Sequence, residues 1–187
     1  MKYIFLDIDG VLNCGQSARG YLANPETKVN YRFLDRGNWV EVELLKRLQG
    51  LVKDEDAHIV GVSSWFGCLA DNEEERKAGL SSLQDIADVL QLPVYGISHS
   101  TGGGVSRGRG VLSWLREQGY QEGVDSFVVL DDGGDKYYAY PTIAVNGWVG
   151  LSDEDIVKAK EILSNPLSLD ECEVLQKGYK DRQYKVK

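Results

Sequence analysis

The chain is short of cysteine, histidine, long apolar runs and positive charge, and each shortage removes a class of protein. Its three cysteines, Cys14, Cys68 and Cys172, are scattered and form no CxxC pair. That pattern argues against a disulfide framework or a thiolate zinc site, and for a reducing compartment. The two histidines, His58 and His99, lie too far apart in sequence to mark a metal pair, so surface or turn roles are expected. No apolar run approaches the ~20 residues that span a bilayer, so no membrane partner is expected. Met1-Lys2 leads straight into a strand-sized apolar segment, which leaves no room for a signal peptide. A cytoplasmic location is therefore the expectation. Lys and Arg number 21 against 29 Asp and Glu, a net charge of -8. This disfavours nucleic-acid binding through a broad basic surface. A small basic groove is compatible with it, because catalytic carboxylates contribute to the sum.

What is present is ordinary for a soluble globular domain: 187 residues, 42% hydrophobic and 27% charged, enough to bury one core. Lys2–Ile8 is a short apolar run ending in acids, as in a buried central strand. Residues 40–52 place Val42, Leu45, Leu48 and Val52 near helical spacing. His58–Ser63 reads as a second strand, and residues 81–91 as a helix opened by a serine cap. Residues 108–118 form an amphipathic helix through Val111, Leu112 and Leu115, with Trp114 as a packing residue. Ser126–Leu130 is a third buried strand, again followed by acids, and residues 140–145 a further short one. Ser152–Leu163 has a serine cap and an acidic first turn, both favourable at the positive end of a helix dipole.

Strands alternating with helices imply an α/β fold, a Rossmann-like three-layer sandwich around a mostly parallel sheet. In such folds ligands bind beyond the carboxyl ends of the strands, where strand order switches. Three of these strands end in Asp or Ser. The glycine-rich stretch Ser98–Gly110 is expected to be a loop and matches neither GxGxxG nor GxxxxGK[ST]. The run Asn72–Lys77 reads as a solvated helical face. The basic tail, Lys177 to Lys187, reads as a solvated terminus.

Four elements bear on chemistry. In Asp7-Ile8-Asp9-Gly10-Val11-Leu12-Asn13, two carboxylates two residues apart point the same way if the strand continues, and Gly10 allows a sharp turn after them. A hard cation such as Mg²⁺ takes oxygen ligands, while one carboxylate must stay free to attack phosphorus. The alternative is an acidic turn after a strand. Ser63-Ser64, with Trp65 behind them, can donate hydroxyls to a phosphoryl group or merely cap a turn. Arg107 and Arg109 flank the expected start of a helix, where a cation can neutralise phosphate; a solvated arginine is the alternative for one of them. Asp131-Asp132-Gly133-Gly134-Asp135 sets acids together whose repulsion a bound cation relieves, unless the turn is simply exposed.

The order of these elements resembles the four motifs of the haloacid dehalogenase (HAD) superfamily. The likeness extends through WVEVELLKRL, GVSSW, RGRGVLSWL, FVVLDD and GLSDEDIVKAKEIL, and is to the small capless HAD domains grouped with RNA-repair proteins. It covers residues 1–165, leaving 166–187 as a C-terminal extension. The resemblance implies Asp7 as nucleophile and Asp9 as acid/base that also lends its backbone carbonyl to Mg²⁺. It implies Ser63, with Ser64, as phosphate-binding hydroxyls, and Arg107 in place of the usual lysine. Asp131 is implied as the main metal ligand, assisted by Asp132 and Asp135. Gly133-Gly134 and the glycine-rich loop before Arg107 depart from the superfamily pattern. The segment from Cys14 to Asn38 is too short for a large cap, so an open site is expected. A nucleotide or other small phosphomonoester ranks first as substrate and a polynucleotide 3′ end second. A non-catalytic phosphate-binding or signalling module on the same fold is the rival reading.

Overall fold

The computed structural model describes residues 1–23, 31–33, 39–66, 83–98, 106–133 and 141–172. Along the chain run β1 (Lys2–Leu6), α1 (Gly15–Ala23), β2 (Tyr31–Phe33), β3 (Trp39–Glu41), α2 (Val42–Glu55) and β4 (Ala57–Gly61). After a short 3-10 turn at Ser64–Phe66 come α3 (Leu83–Leu90), β5 (Val94–Ile97), α4 (Ser106–Glu117), β6 (Ser126–Asp131), β7 (Thr142–Ala144) and α5 (Asp153–Ser164). β2 and β3 form an antiparallel pair of their own. The other five strands form one sheet, in the order β5-β4-β1-β6-β7, parallel throughout.

Period-two alternation along the strands separates two cores. Ile4 and Leu6 of β1, Ile59 of β4, and Val128 and Leu130 of β6 face one side, where α2, α3 and α5 cover them. Tyr3 and Phe5, Val60 and Val62, and Phe127 and Val129 face the other, under Val111, Leu112, Trp114 and Leu115 of α4. That second core is aromatic, with Trp114 edge-on to both Tyr3 and Phe5. The result is the α/β three-layer arrangement that the alternation of strands and helices implied. Leu167, Leu169 and Cys172 pack into the aromatic core, so the chain past residue 165 starts within the body of the domain. Cys14 and Cys172 are buried free thiols. No helix among the described residues is long and apolar enough to cross a membrane.

Several boundaries differ from the sequence reading. β1 ends at Leu6 rather than Ile8, because the chain begins to turn at the acids. Residues 40 and 41 belong to β3, and the helix runs from Val42 to Glu55. The second strand is Ala57–Gly61 rather than His58–Ser63, and His58 lies on it against Tyr95 rather than in a turn. The helix expected from 108 begins at Ser106, so residues 106–110 are not loop. α1, the β2–β3 pair and β5 went unread. Their apolar patterns are weak: α1, GQSARGYLA, mixes two glycines with polar residues, and β5 is a four-residue, partly exposed edge strand. The serine cap of α5 is as expected: Asp155 N donates to Ser152 Oγ, and Ser152 N donates back to the Asp155 carboxylate. The serines opening the 81–91 helix, the 72–77 run, His99, Cys68 and the basic tail lie outside the described residues.

Candidate active site

The site grows out of the alternation that builds the aromatic core. On β1 the series Tyr3, Phe5 continues to Asp7, and on β6 the series Phe127, Val129 continues to Asp131. Leu6 stands opposite Leu130 in the β1–β6 register, and Asp7 N donates to Leu130 O at 3.0 Å. Register and pleat therefore bring the two carboxylates side by side on the face that α4 covers. The chain runs from β1 outward through β4 and β5, then crosses to β6 on the other flank of β1. The two acids thus stand at the carboxyl edge where strand order reverses, the place such folds reserve for ligands.

Asp7 and Asp131 are buried, Asp131 completely. Single carboxylate oxygens of Asp7, Asp131 and Asp132 lie within 4.8 Å of one another. At an effective dielectric near 20, two unit charges at such a separation repel by about 3–4 kcal/mol, a repulsion that a nearby cation relieves. Arg107, in the first turn of α4 and 15% exposed, supplies one. Its Nη1 donates to Asp7 Oδ2 at 3.0 Å and to Asp131 Oδ2 at 3.2 Å. A positive side chain there opposes the helix dipole, a cost outweighed by two buried carboxylates. Arg109, two residues on, is exposed. The remaining oxygens are fixed by backbone: Ile8 N donates to Asp7 Oδ1 at 2.8 Å, and Gly133 N to Asp131 Oδ1 at 2.6 Å.

Asp9 does not join this cluster. β1 ends at Leu6, and Asp9 lies three residues past it, next to the turn at Gly10, whose φ is +76°. Asn13 Nδ2 donates to Asp9 Oδ1 at 2.8 Å, and the Trp65 indole N–H to Asp9 Oδ2 at 3.0 Å. Asn13 also accepts from Gly10 N at 3.0 Å, closing the turn. Gly10 has a second reason to lack a side chain: a Cβ there would lie 2.3 Å from Asp132 Oδ2. On the far side, a Cβ at Gly147 would lie 2.7 Å from the same oxygen. Asp132 is exposed and held between these two glycines.

Ser63 is fully buried two residues past β4, its Oγ accepting from Trp65 N at 3.3 Å. Val62 N donates to Leu6 O, which keeps this end of β4 against the β1 terminus. Ser64 follows in the 3-10 turn. Asp135 and Gly134 lie outside the described residues. Three residues of the site escaped the sequence reading: Asn13, which stands in the first motif, Trp65 as a donor to Asp9, and Gly147. Only the spacing of Asn13 from Asp9, four residues, could have signalled its role.

Three clustered carboxylates, two of them bonded to one guanidinium, suit two ligands. Their oxygens are hard donors that fit a small divalent cation such as Mg²⁺, and the guanidinium fits an anion. The parallel α/β sandwich with this acidic carboxyl edge is the architecture of a HAD-type hydrolase domain. The family is also defined: residues 3–156 match the model described as the HAD domain in Swiss Army Knife RNA repair proteins, and the chain belongs to that family. No curated protein and no solved structure matches it.

Proposed function

We propose that the protein is a Mg²⁺-dependent phosphomonoester hydrolase that works through an aspartyl-phosphate on Asp7. The observation that carries this reading is the buried Asp7–Asp131 pair bridged by Arg107, in a chain of the HAD family. An Asp7 oxygen attacks phosphorus, and the bond from phosphorus to the ester oxygen breaks. Asp9 turns from Trp65 and Asn13 to protonate the leaving oxygen, then takes a proton from the water that hydrolyses the aspartyl-phosphate. Arg107 shifts from the carboxylates to the phosphoryl oxygens, which Ser63 and Ser64 also bind. Asp7, Asp131 and Asp132 hold Mg²⁺, with the Asp9 backbone carbonyl; bound there, the ion supplies positive charge against the repulsion between phosphate and carboxylate. A second acid at Asp9 favours phosphoryl transfer over dehalogenation, which needs neither that group nor a metal.

The substrate in this reading is a nucleotide or other small phosphomonoester. A nucleic-acid 3′ end is the second reading, favoured by the RNA repair named in the family's description. Phosphate release from nucleotides, sugar phosphates and 3′- or 5′-phosphorylated oligonucleotides, with Mg²⁺ or with chelator, tests both. Turnover that needs Mg²⁺ on any of these supports hydrolysis. No turnover on every one, with metal supplied, would leave a phosphate-binding module.

A further inference from the structure

The geometry points to a subsite beside the acidic cluster, in which Trp148 and Arg19 form a stacking platform for the nucleobase of a phosphorylated substrate. This rests on the phosphatase reading above and adds the part of the substrate that lies away from phosphorus. Trp148 is 49% exposed, whereas the other tryptophans of the described residues are buried or half-buried. A single exposed apolar side chain is ordinary on a protein surface. Trp148 differs in being fixed from several directions.

Its backbone N–H donates to Asn146 Oδ1 at 3.0 Å, and its carbonyl accepts from Gln16 N at 3.0 Å. The ring lies against Gly15, where a Cβ would be 2.3 Å from the indole Cε3. The Arg19 guanidinium, one turn along α1 from Gly15, stands 4.6 Å from the ring centroid. The residue before Trp148 is Gly147, whose missing side chain makes room for Asp132 Oδ2. Gly15 N also donates to Gly147 O at 3.0 Å, so one backbone segment, running from the glycine beside Asp132 to Trp148, is tied to α1.

An indole paired with a guanidinium offers a flat, cationic surface that is already ordered, so a ligand stacking on it loses little further entropy in the protein. The occupant that fits is planar, has a π-face and is joined to a phosphate: a nucleobase. Arg19 also offers positive charge to a phosphodiester in a chain that is otherwise acidic. A sugar ring can lie on an indole but makes no use of the guanidinium plane.

The test compares wild type with Trp148→Ala, Trp148→Phe and Arg19→Ala on a purine nucleoside monophosphate and on ribose 5-phosphate. Trp148→Ala should raise KM for the nucleotide roughly 10-fold and leave its kcat and the kinetics on ribose 5-phosphate unchanged. Trp148→Phe should restore most of the loss, which separates stacking from a packing defect on α1; Arg19→Ala should give a smaller rise. An unchanged nucleotide KM, or an equal rise for both substrates, would overturn the platform. Equilibrium dialysis of the nucleotide in chelator separates this inference from the catalytic one. Binding that is weakened by Trp148→Ala upholds the platform even in a protein that turns nothing over. No binding by wild type, or equal binding by the variant, refutes it.

Discussion

Both ends of the parallel sheet bury aspartate, and they do so in opposite ways. At the amino end Asp125 precedes β6 alone. It accepts from Gln121 N at 2.9 Å and from the Met1 ammonium. Burial by itself would raise its carboxyl, but the hydrogen bonds from that ammonium and from Gln121 N outweigh burial and hold it below the ordinary carboxylate range. At the carboxyl end of the same strand, Asp131 shares one guanidinium with Asp7, and Asp132 adds a third carboxylate close by. A lone buried acid with its own donors closes a turn. Two acids that share one guanidinium, with a third close by, concentrate negative charge at a single edge, an oxygen-rich arrangement of the kind a small divalent cation fits.

The contrast breaks most sharply at Asp7. Asp7→Asn should reduce phosphatase activity to background while the protein stays folded, since it removes a charge from a self-repelling cluster. Asp9→Asn should cost about 10²-fold, the scale of lost general acid–base catalysis. Near-normal turnover by Asp7→Asn with metal present would dismiss it as the nucleophile. Arg107→Ala should come next, with a loss of roughly 10²-fold on every substrate. Arg109→Ala, at an exposed position, should leave small substrates unaffected and weaken only an oligonucleotide, in a salt-dependent way. Kinetics of both variants on one small and one oligonucleotide substrate decide between them.

A milder break separates neighbours within the carboxyl edge. Asp131→Ala should lower apparent Mg²⁺ affinity more than Asp132→Ala, because Asp131 is buried beside Asp7 and Asp132 faces solvent. Metal titrations of activity read this directly, and equal affinities for the two variants and wild type would reduce the late acids to a turn. The smallest effect belongs to the amino end. Asp125→Asn should leave activity intact and cost on the order of 1 kcal/mol of stability at neutral pH. Because the carboxyl of Asp125 is depressed in the folded state, its contribution is present above the unfolded value. That contribution fades as pH falls through the folded one. Denaturation curves of wild type and Asp125→Asn should therefore converge in acid; a constant gap would assign the loss to packing.

The two strands that carry the site were legible because their signal is local. KYIFLDI and SFVVLDD are apolar runs that end in acid, and burial and alternation follow from composition alone. α1, β5 and the β2–β3 pair were not legible, being short, glycine-bearing or poor in contrast between faces. Within the site, the residues of SRGRGV alone left the choice of arginine open, and the resemblance implied Arg107. The reach of Arg107 into the cluster depends on α4 starting two residues earlier than its apolar spacing implied. Asp9 was placed with Asp7 on the assumption that the strand continued, but β1 ends at Leu6 and Asp9 stands outside the cluster.

By itself, then, the sequence determined the chemistry available: which strands are buried, that they end in carboxylates and a serine, and that a cation precedes a helix. Those are properties of residues and of their spacing along one segment. Tertiary structure decided which of these groups meet. Asp7 faces Asp131 because β6 pairs with β1 in a register set by the whole sheet, and Arg107 meets both because α4 packs on that face. Asp132 fits between Gly10 and Gly147, which are distant in sequence. Adjacency of this kind depends on strand order and packing between segments far apart in the chain, which no local pattern encodes.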